Sequence, residues 1–482
     1  MPASTPPTRR RWFGLALIAA AQFVVIMDTS IIGVALPKMQ EDLGFSPGGL
    51  SWVFNAYVVA FGGLLLLGGR LSDLLGARRV FTAGWVVLLA GSAVAGAAGD
   101  VATELAGRAV QGIGAALIAP SALTLLMVTF GANPKELTKA LALYGAAAPA
   151  GGTAGVFLGG AITEYASWPW VFYLNIPIAA VVLAAIPRLM PVVPGSRGSQ
   201  DWLGAVTVTG GLAAGVYAIV RAPEVGWGSA ETAVVGMGSL LLLAVFLLAQ
   251  ATRRRPLLRL GILRTPNLAA ANIAQLLLGA AWVPMWFFMN LYLQQVLGLS
   301  AFPSGAALLP MTVLIMVGMV VVAPRVMARF GPKHTLLVAM VVLTAGLAWL
   351  SFVRPDGSFV VDVLPASLVA AAGMSLAFIP SLGIALSSAP REEGGLAAGL
   401  VNTSYQVGSA LGLDAMTAVA AAYGADRAGD LAAMTDGYSA AFLGAAMLAA
   451  LGTAVAAITV LFPHRAASAA GAPEPVKVSS AV

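Results

Sequence analysis

Apolar runs of about twenty residues recur along this chain, separated by short breaks that hold most of its charge. A bilayer core about 30 Å thick demands a helix of that length, because no water is present there to satisfy an open backbone. The runs do not alternate apolar and polar residues, as the strands of a membrane barrel would. They predict a polytopic, all-α membrane protein, and the composition agrees. Of 482 residues, 59% are hydrophobic and 10% charged, whereas a soluble domain carries about a quarter charged residues. Fourteen helices are expected, at about 12–36, 50–70, 79–98, 102–129, 138–163, 169–190, 202–222, 231–251, 267–296, 303–327, 333–353, 362–388, 395–423 and 438–462.

The first run follows RRRWF, a basic stretch that would also suit an export signal. It passes through Asp28 and continues to Leu36, too long for the apolar part of a signal peptide, so it reads as the first transmembrane helix. With the N-terminus inside, 21 of the 26 lysines and arginines fall on cytoplasmic segments and 4 on outer ones, and Arg108 remains within a helix. That asymmetry predicts a multi-pass protein of the plasma (inner) membrane with both termini cytoplasmic. A lost or added helix would invert every later loop and ruin the split. The net charge of +6 therefore reads as a topology signal, not as a nucleic-acid footprint.

One break, GGRLSDLLGARRVF (68–81), holds more than topology requires. Its arginines keep the turn inside; Asp73 beside Gly76 can pair with Arg78 and Arg79 or cap a helix, forming a polar latch between bundles. APRVMARFGPKHTLL (323–337) repeats the scheme, and aligning Gly76 with Gly331 sets Asp73 opposite Ala328. The internal repeat predicts a cytoplasmic N-terminus at 1–11, a six-helix bundle at 12–190, an inserted helix pair with its linkers at 191–266, a second six-helix bundle at 267–462 and a disordered tail at 463–482.

The residues resemble the major facilitator superfamily and, within it, the fourteen-helix drug:proton antiporters. GRLSDLLGARR (69–79) is similar to the superfamily loop signature, with Leu74 and Ala77 where basic residues are usual. MDTSIIGVALPKMQEDLG (27–44) resembles the helix 1 signature, with Asp28 at its acid. LAGRAVQGIGAA (105–116) resembles the helix 4 signature, with Arg108 at the intramembrane arginine and Gln111 after it. GGTAGVFLGG (151–160) is similar to the antiporter motif, contributing Gly151, Gly155, Gly159 and Gly160, with Val156 where proline is usual. SWPWVFYLNIP (167–177) resembles a further signature, with Pro169 in the place of an arginine. The resemblance implies the two-bundle fold, alternating access and export driven by proton influx.

Ionisable residues inside spans are costly, so Asp28, Arg108 and Asp414 stand out. Asp28 is a proton carrier, a paired packing residue, or a residue far enough into the outer half of its span to be hydrated. As a carrier in apolar surroundings, it would lose its proton to leave an anion that a cationic drug, or nothing, neutralises. Arg108 is permanently charged; it either tunes a nearby acid, Asp28 being the hypothesis, or braces the helices. Asp414 is either a second titrating acid or a residue in a wetter stretch. For a substrate pocket the candidates are Asn55, Gln111, Trp282, Trp286, Met289, Asn290, Asn402 and Gln406, with Gln22 beside them; each aromatic or Met has bundle packing as its plainer alternative. The glycines of 151–160 permit close helix approach and offer a smooth face on which the bundles can meet.

The chain has no cysteine, and both histidines, His334 and His464, lie in basic loops. No catalytic cluster, metal site or G-x-x-x-x-G-K-[ST] loop appears, so an enzyme, a cofactor and ATP drive are not expected. The expected partners are protons, lipid and small hydrophobic substrates, drugs or antibiotics, cationic or not. The alternative is a narrow-specificity metabolite transporter on the same scaffold.

Overall fold

The computed structural model describes residues 8–45, 50, 52–195, 202–226, 228–253, 266–388, 394–427 and 429–461. Every regular element among them is helical. The helices are α1 (Thr8–Leu43), α2 (Trp52–Leu75), α3 (Ala77–Gly96), α4 (Val101–Phe130), α5 (Pro134–Tyr165), the short α6 (Trp170–Tyr173), α7 (Asn175–Leu189), α8 (Trp202–Val225), α9 (Ala230–Thr252), α10 (Pro266–Leu291), α11 (Ala301–Ala307), α12 (Leu309–Val317), α13 (Ala323–Leu350), α14 (Leu364–Ser388), α15 (Gly394–Ala422) and α16 (Leu431–Leu461). Turns of π-helix, at Tyr292–Val296, Gly318–Val322 and Phe359–Val363, sit at the ends of α10 and α12 and before α14.

Eleven helical stretches among the described residues are long and apolar enough to cross a membrane, against fourteen expected. One of them, Pro303–Leu350, runs for 48 residues, and the expected break within it is a bend at Gly331, whose φ of 76° and ψ of 162° are not helical. Two other expected spans are helices of 24 and 29 residues, α8 and α15, that are not among the eleven. The expected disordered tail lies outside the described residues.

The repeat seen in the sequence is repeated in backbone geometry. Gly76 and Gly331, at the two matching turns, have φ of 93° and 76°. A left-handed backbone of this kind strains any residue with a Cβ. A second pair, Gly44 and Gly298, ends α1 and the π-helical turn after α10 with φ of 72° and 68°. Both glycines sit in a Leu-Gly-x-Ser stretch.

Packing follows the same repeat. Among the described residues the α1–α5 contact is the most extensive and α3–α4 comes next; α10–α15 and α13–α14 are their respective counterparts. Small residues make these approaches close. A Cβ at Gly155 would stand 2.7 Å from the Met27 carbonyl oxygen and one at Gly159 2.8 Å from that of Ile31, while Gly151 faces the carbonyl of Phe23. The glycine face of α5 is therefore buried against α1, not on a boundary between bundles; no neighbour lies within 4 Å of a Cβ at Gly160. In α10–α15, Gly408 and Gly412 face the carbonyls of Leu276 and Ala280.

The first seven helices meet the last seven elsewhere. Gly399 on α15 approaches Leu65 and Gly69 on α2, Gly145 approaches Ile379 and Phe378 on α14, and Gly305 approaches Val156. Thr153 and Thr312 share a short hydroxyl–hydroxyl hydrogen bond across this boundary. Helix α8 packs on α2, and α9 packs on α8. Most of α9 is exposed, with Val234, Met237, Leu240 and Leu241 among the exposed apolar side chains, as a lipid-facing helix requires.

Candidate functional site

Helix α4 opens on Asp100, whose carboxylate accepts hydrogen bonds from the backbone N–H and hydroxyl of Thr103. That capping holds the exposed carboxyl below its ordinary range, the backbone N–H of Thr103 contributing most. Two turns further on, Arg108 points into the protein and is fully buried. Two glycine contacts let the neighbouring helices close on it: a Cβ at Gly107 would stand 2.6 Å from the Ala95 nitrogen, and one at Gly91 2.6 Å from that of Gln111.

The Arg108 guanidinium donates through Nη1 to Asp28 Oδ2 at 2.6 Å and to Gln111 Oε1 at 2.7 Å, and through Nε to the Val53 carbonyl at 2.9 Å. The other Asp28 oxygen, Oδ1, accepts from Gln111 Nε2 at 3.0 Å and from Asn175 Nδ2 at 2.7 Å. Both amides also donate to Ser92 Oγ, at 2.8 Å and 3.3 Å. The ring of Tyr57 lies 4.7 Å from the guanidinium carbon and that of Phe172 5.9 Å. Hydrogen-bonding groups from five helices, α1, α2, α3, α4 and α7, thus converge on one ion pair whose two side chains have no exposed surface.

The sequence anticipates apolar surroundings for Asp28, and the structure differs. Three groups donate to the carboxylate, the pattern that suits an acceptor-only side chain. A buried pair of this kind offsets its desolvation only where the remaining donors and acceptors are also satisfied. Ser92 and Asn175 supply part of that satisfaction and the Tyr57 ring lies against the guanidinium; none of the three is among the expected site residues. Asn175 stands in the SWPWVFYLNIP stretch, so the signal for it was present.

Glu104 was missed outright. It is fully buried, and neither of its oxygens has a hydrogen-bond partner. Arg108 Nη2 and Asn175 Oδ1 are unpartnered as well. An acid four residues before an arginine in an apolar run was the available signal.

The remaining expected residues are dispersed. Gln111, expected in a pocket wall, belongs instead to the ion-pair network, because α4 turns it towards α1 and α3. Trp282 and Met289 are buried and Trp286 and Asn290 half-buried along α10; the two indoles lie 6.3 Å apart. Asn290 Oδ1 accepts from Gln294 and Ser304. Asn55 and Gln406 are half-buried, and Asn402 donates back to Ala398 of its own helix. Gln22 accepts from the Tyr144 hydroxyl at 2.7 Å. The Asp414 side chain lies outside the described residues. Arg78 donates to the Pro187 and Met190 carbonyls at the end of α7, tying α3 to its own half. Arg79 is exposed, and Asp73 is half-buried one turn beyond the place where Gly399 meets Gly69.

The family model described as Major Facilitator Superfamily matches residues 18–413. The chain is 36% identical over 468 residues to the cephamycin export protein CmcT of Amycolatopsis lactamdurans, covering 96% of this chain and 95% of that protein. It is 36% identical to the puromycin resistance protein pur8 of Streptomyces alboniger, covering 89% and 87%. Among solved structures, the human organic anion transporter MFSD10 (TETRAN) superposes with a TM-score of 0.65 at 17% identity, covering 94% of this chain and all of that one.

Proposed function

The chain belongs to the Major Facilitator Superfamily, and on that premise we propose that it exports hydrophobic drugs or antibiotics in exchange for protons. The observation that carries the reading is the buried Asp28–Arg108 pair. A guanidinium stays charged at every physiological pH, so the carboxylate is the member that can take up and release a proton. Protonating Asp28 removes the partner of a buried cation and rearranges the amides that converge on it, which biases the five helices holding them. Relatives named for cephamycin export and for puromycin and tetracenomycin C resistance support an antibiotic-class substrate.

In this reading the chain crosses the plasma membrane fourteen times with both termini cytoplasmic. The bend at Gly331 divides one long helix into two crossings, and α8 and α15 supply two more. Two six-helix bundles flank the α8–α9 pair and rock about the contacts that Gly399, Gly145 and Gly305 make across the boundary. Asp73 latches the cytoplasmic side beside the α2–α15 contact, and substrate is held against Trp282, Trp286 and the half-buried amides.

Ethidium uptake into inverted membrane vesicles under an imposed pH gradient tests the reading. Uptake by the parent that is lost in Asp28→Asn is expected. Equal uptake by both would move coupling away from Asp28. A parent that takes up no ethidium but moves a single metabolite would favour the narrow-specificity alternative.

A further inference from the structure

Glu104 stands one turn before Arg108 on α4, about 6 Å of helix rise away, fully buried and with both oxygens unpartnered. Arg108 Nη2 is buried and unpartnered on the same helix. Side chains four residues apart share a helix face, so rotation about their own bonds brings a guanidinium and a carboxylate together without moving the backbone. The titratable and charged groups around them, among the described residues, are Asp28 on α1 and Tyr57 on α2; α3 and α7 contribute the neutral Ser92 and Asn175.

The cluster therefore holds one permanent cation and two acids. With both acids ionised it buries a net negative charge, and with both protonated a net positive one. Only a single proton leaves it neutral, and burying a net charge of either sign is costly. We infer that Asp28 and Glu104 share one proton, and that Arg108 pairs with whichever of the two has lost it. In the arrangement seen here Arg108 holds Asp28, and Glu104 carries the proton. In the other, the O–H bond of Glu104 breaks, one forms on Asp28, and the guanidinium turns to Glu104. The proton is conserved and no other reactant is consumed. The inference rests on the proton-coupled reading for its role in transport. Under the proposed topology Glu104 lies one turn nearer the outer face than Arg108, which makes it the point of proton entry.

Infrared spectroscopy of the purified full-length protein at neutral pH tests this independently of any substrate. The parent should display the carbonyl stretch of a protonated carboxyl group free of hydrogen bonds, and Glu104→Gln should lose it. Asp28→Asn should lose it too, because Glu104 then ionises to pair with Arg108; a merely space-filling Glu104 would not respond. The Glu104→Asp variant should retain the band, which guards against misfolding as the cause of a loss. A band absent from the parent, unchanged in Glu104→Gln or persistent in Asp28→Asn would overturn the shared proton. In vesicles, Glu104→Gln should lower gradient-driven ethidium uptake about tenfold at pH 7 and recover on acidifying the outer side. If the infrared shifts occur but Asp28→Asn still transports ethidium, the shared proton stands and the coupling reading falls.

Discussion

In α3–α4, Gly91 lies against the backbone of Gln111 and Gly114 against that of Leu88; in α13–α14, Gly346 lies against Ala370 and Gly373 against Leu343 in the same way. Counted from these joints, Arg108 falls opposite Ser367, Gln111 opposite Ala370 and Ser92 opposite Leu347. Counted from the α1–α5 and α10–α15 joints, Asp28 falls opposite Ala281. All four counterparts are buried. The two regions share the backbone contacts that set how closely helices approach, yet one encloses a charged network and the other small or apolar side chains. Close approach is thus a property of glycine placement and carries no chemistry of its own. At these matched positions the charged side chains lie in the first copy only.

Breaking the pair should have the largest effect. Asp28→Ala leaves Arg108 buried without its counter-ion and should destabilise the protein by about 3–5 kcal/mol, read as a fall in the thermal midpoint in detergent. Ser367→Ala, at the matching place, should cost about 1 kcal/mol or less. Equal losses would mean that the network contributes nothing special to its half.

The joints themselves should behave alike. Gly155→Val and Gly412→Val each force a branched side chain against a facing carbonyl, and each should cost about 1–3 kcal/mol by overpacking. A large difference between them would break the backbone equivalence of the two regions.

The two matching turns should differ from each other. Alanine at Gly76 or Gly331 carries the left-handed penalty of about 1 kcal/mol. Gly76 should cost more, because the Val193 carbonyl occupies the space a Cβ would need, whereas nothing lies within 4 Å at Gly331.

The smallest effect concerns the helix that carries Arg108. Asp100→Ala removes the α4 cap and should lower the thermal midpoint slightly, by less than any substitution above. Because the folded carboxyl is held below its ordinary range, the cap is fully present above that range and is lost as pH falls through the folded value. Thermal midpoints of parent and variant should therefore converge in acid.

Much of this was legible in the chain. Apolar run length points to helices, because a bilayer leaves few alternatives. Gly76 and Gly331 announced the repeat, and Asp28 and Arg108 were conspicuous as charges in apolar runs. The convergence on them was not legible. Ser92 and Asn175 are ordinary polar residues until helix packing turns them inward, and Gln111 carries no mark separating a pocket wall from an ion-pair partner. Glu104 was hidden by its nearness to the start of α4, where an acid reads as a favourable helix-end charge. The α5 glycines declared a close contact without naming its partner, which is α1.

In the proposed function the Asp28–Arg108 pair links proton movement to export. Purified protein in sealed lipid vesicles, with a pH electrode in the bath, tests it when ethidium is added. Proton counterflow in the parent that disappears in Asp28→Asn, while the variant still binds ethidium, is the predicted result. Counterflow of equal size in Asp28→Asn would contradict the claim and send the search for the coupling acid elsewhere in the chain.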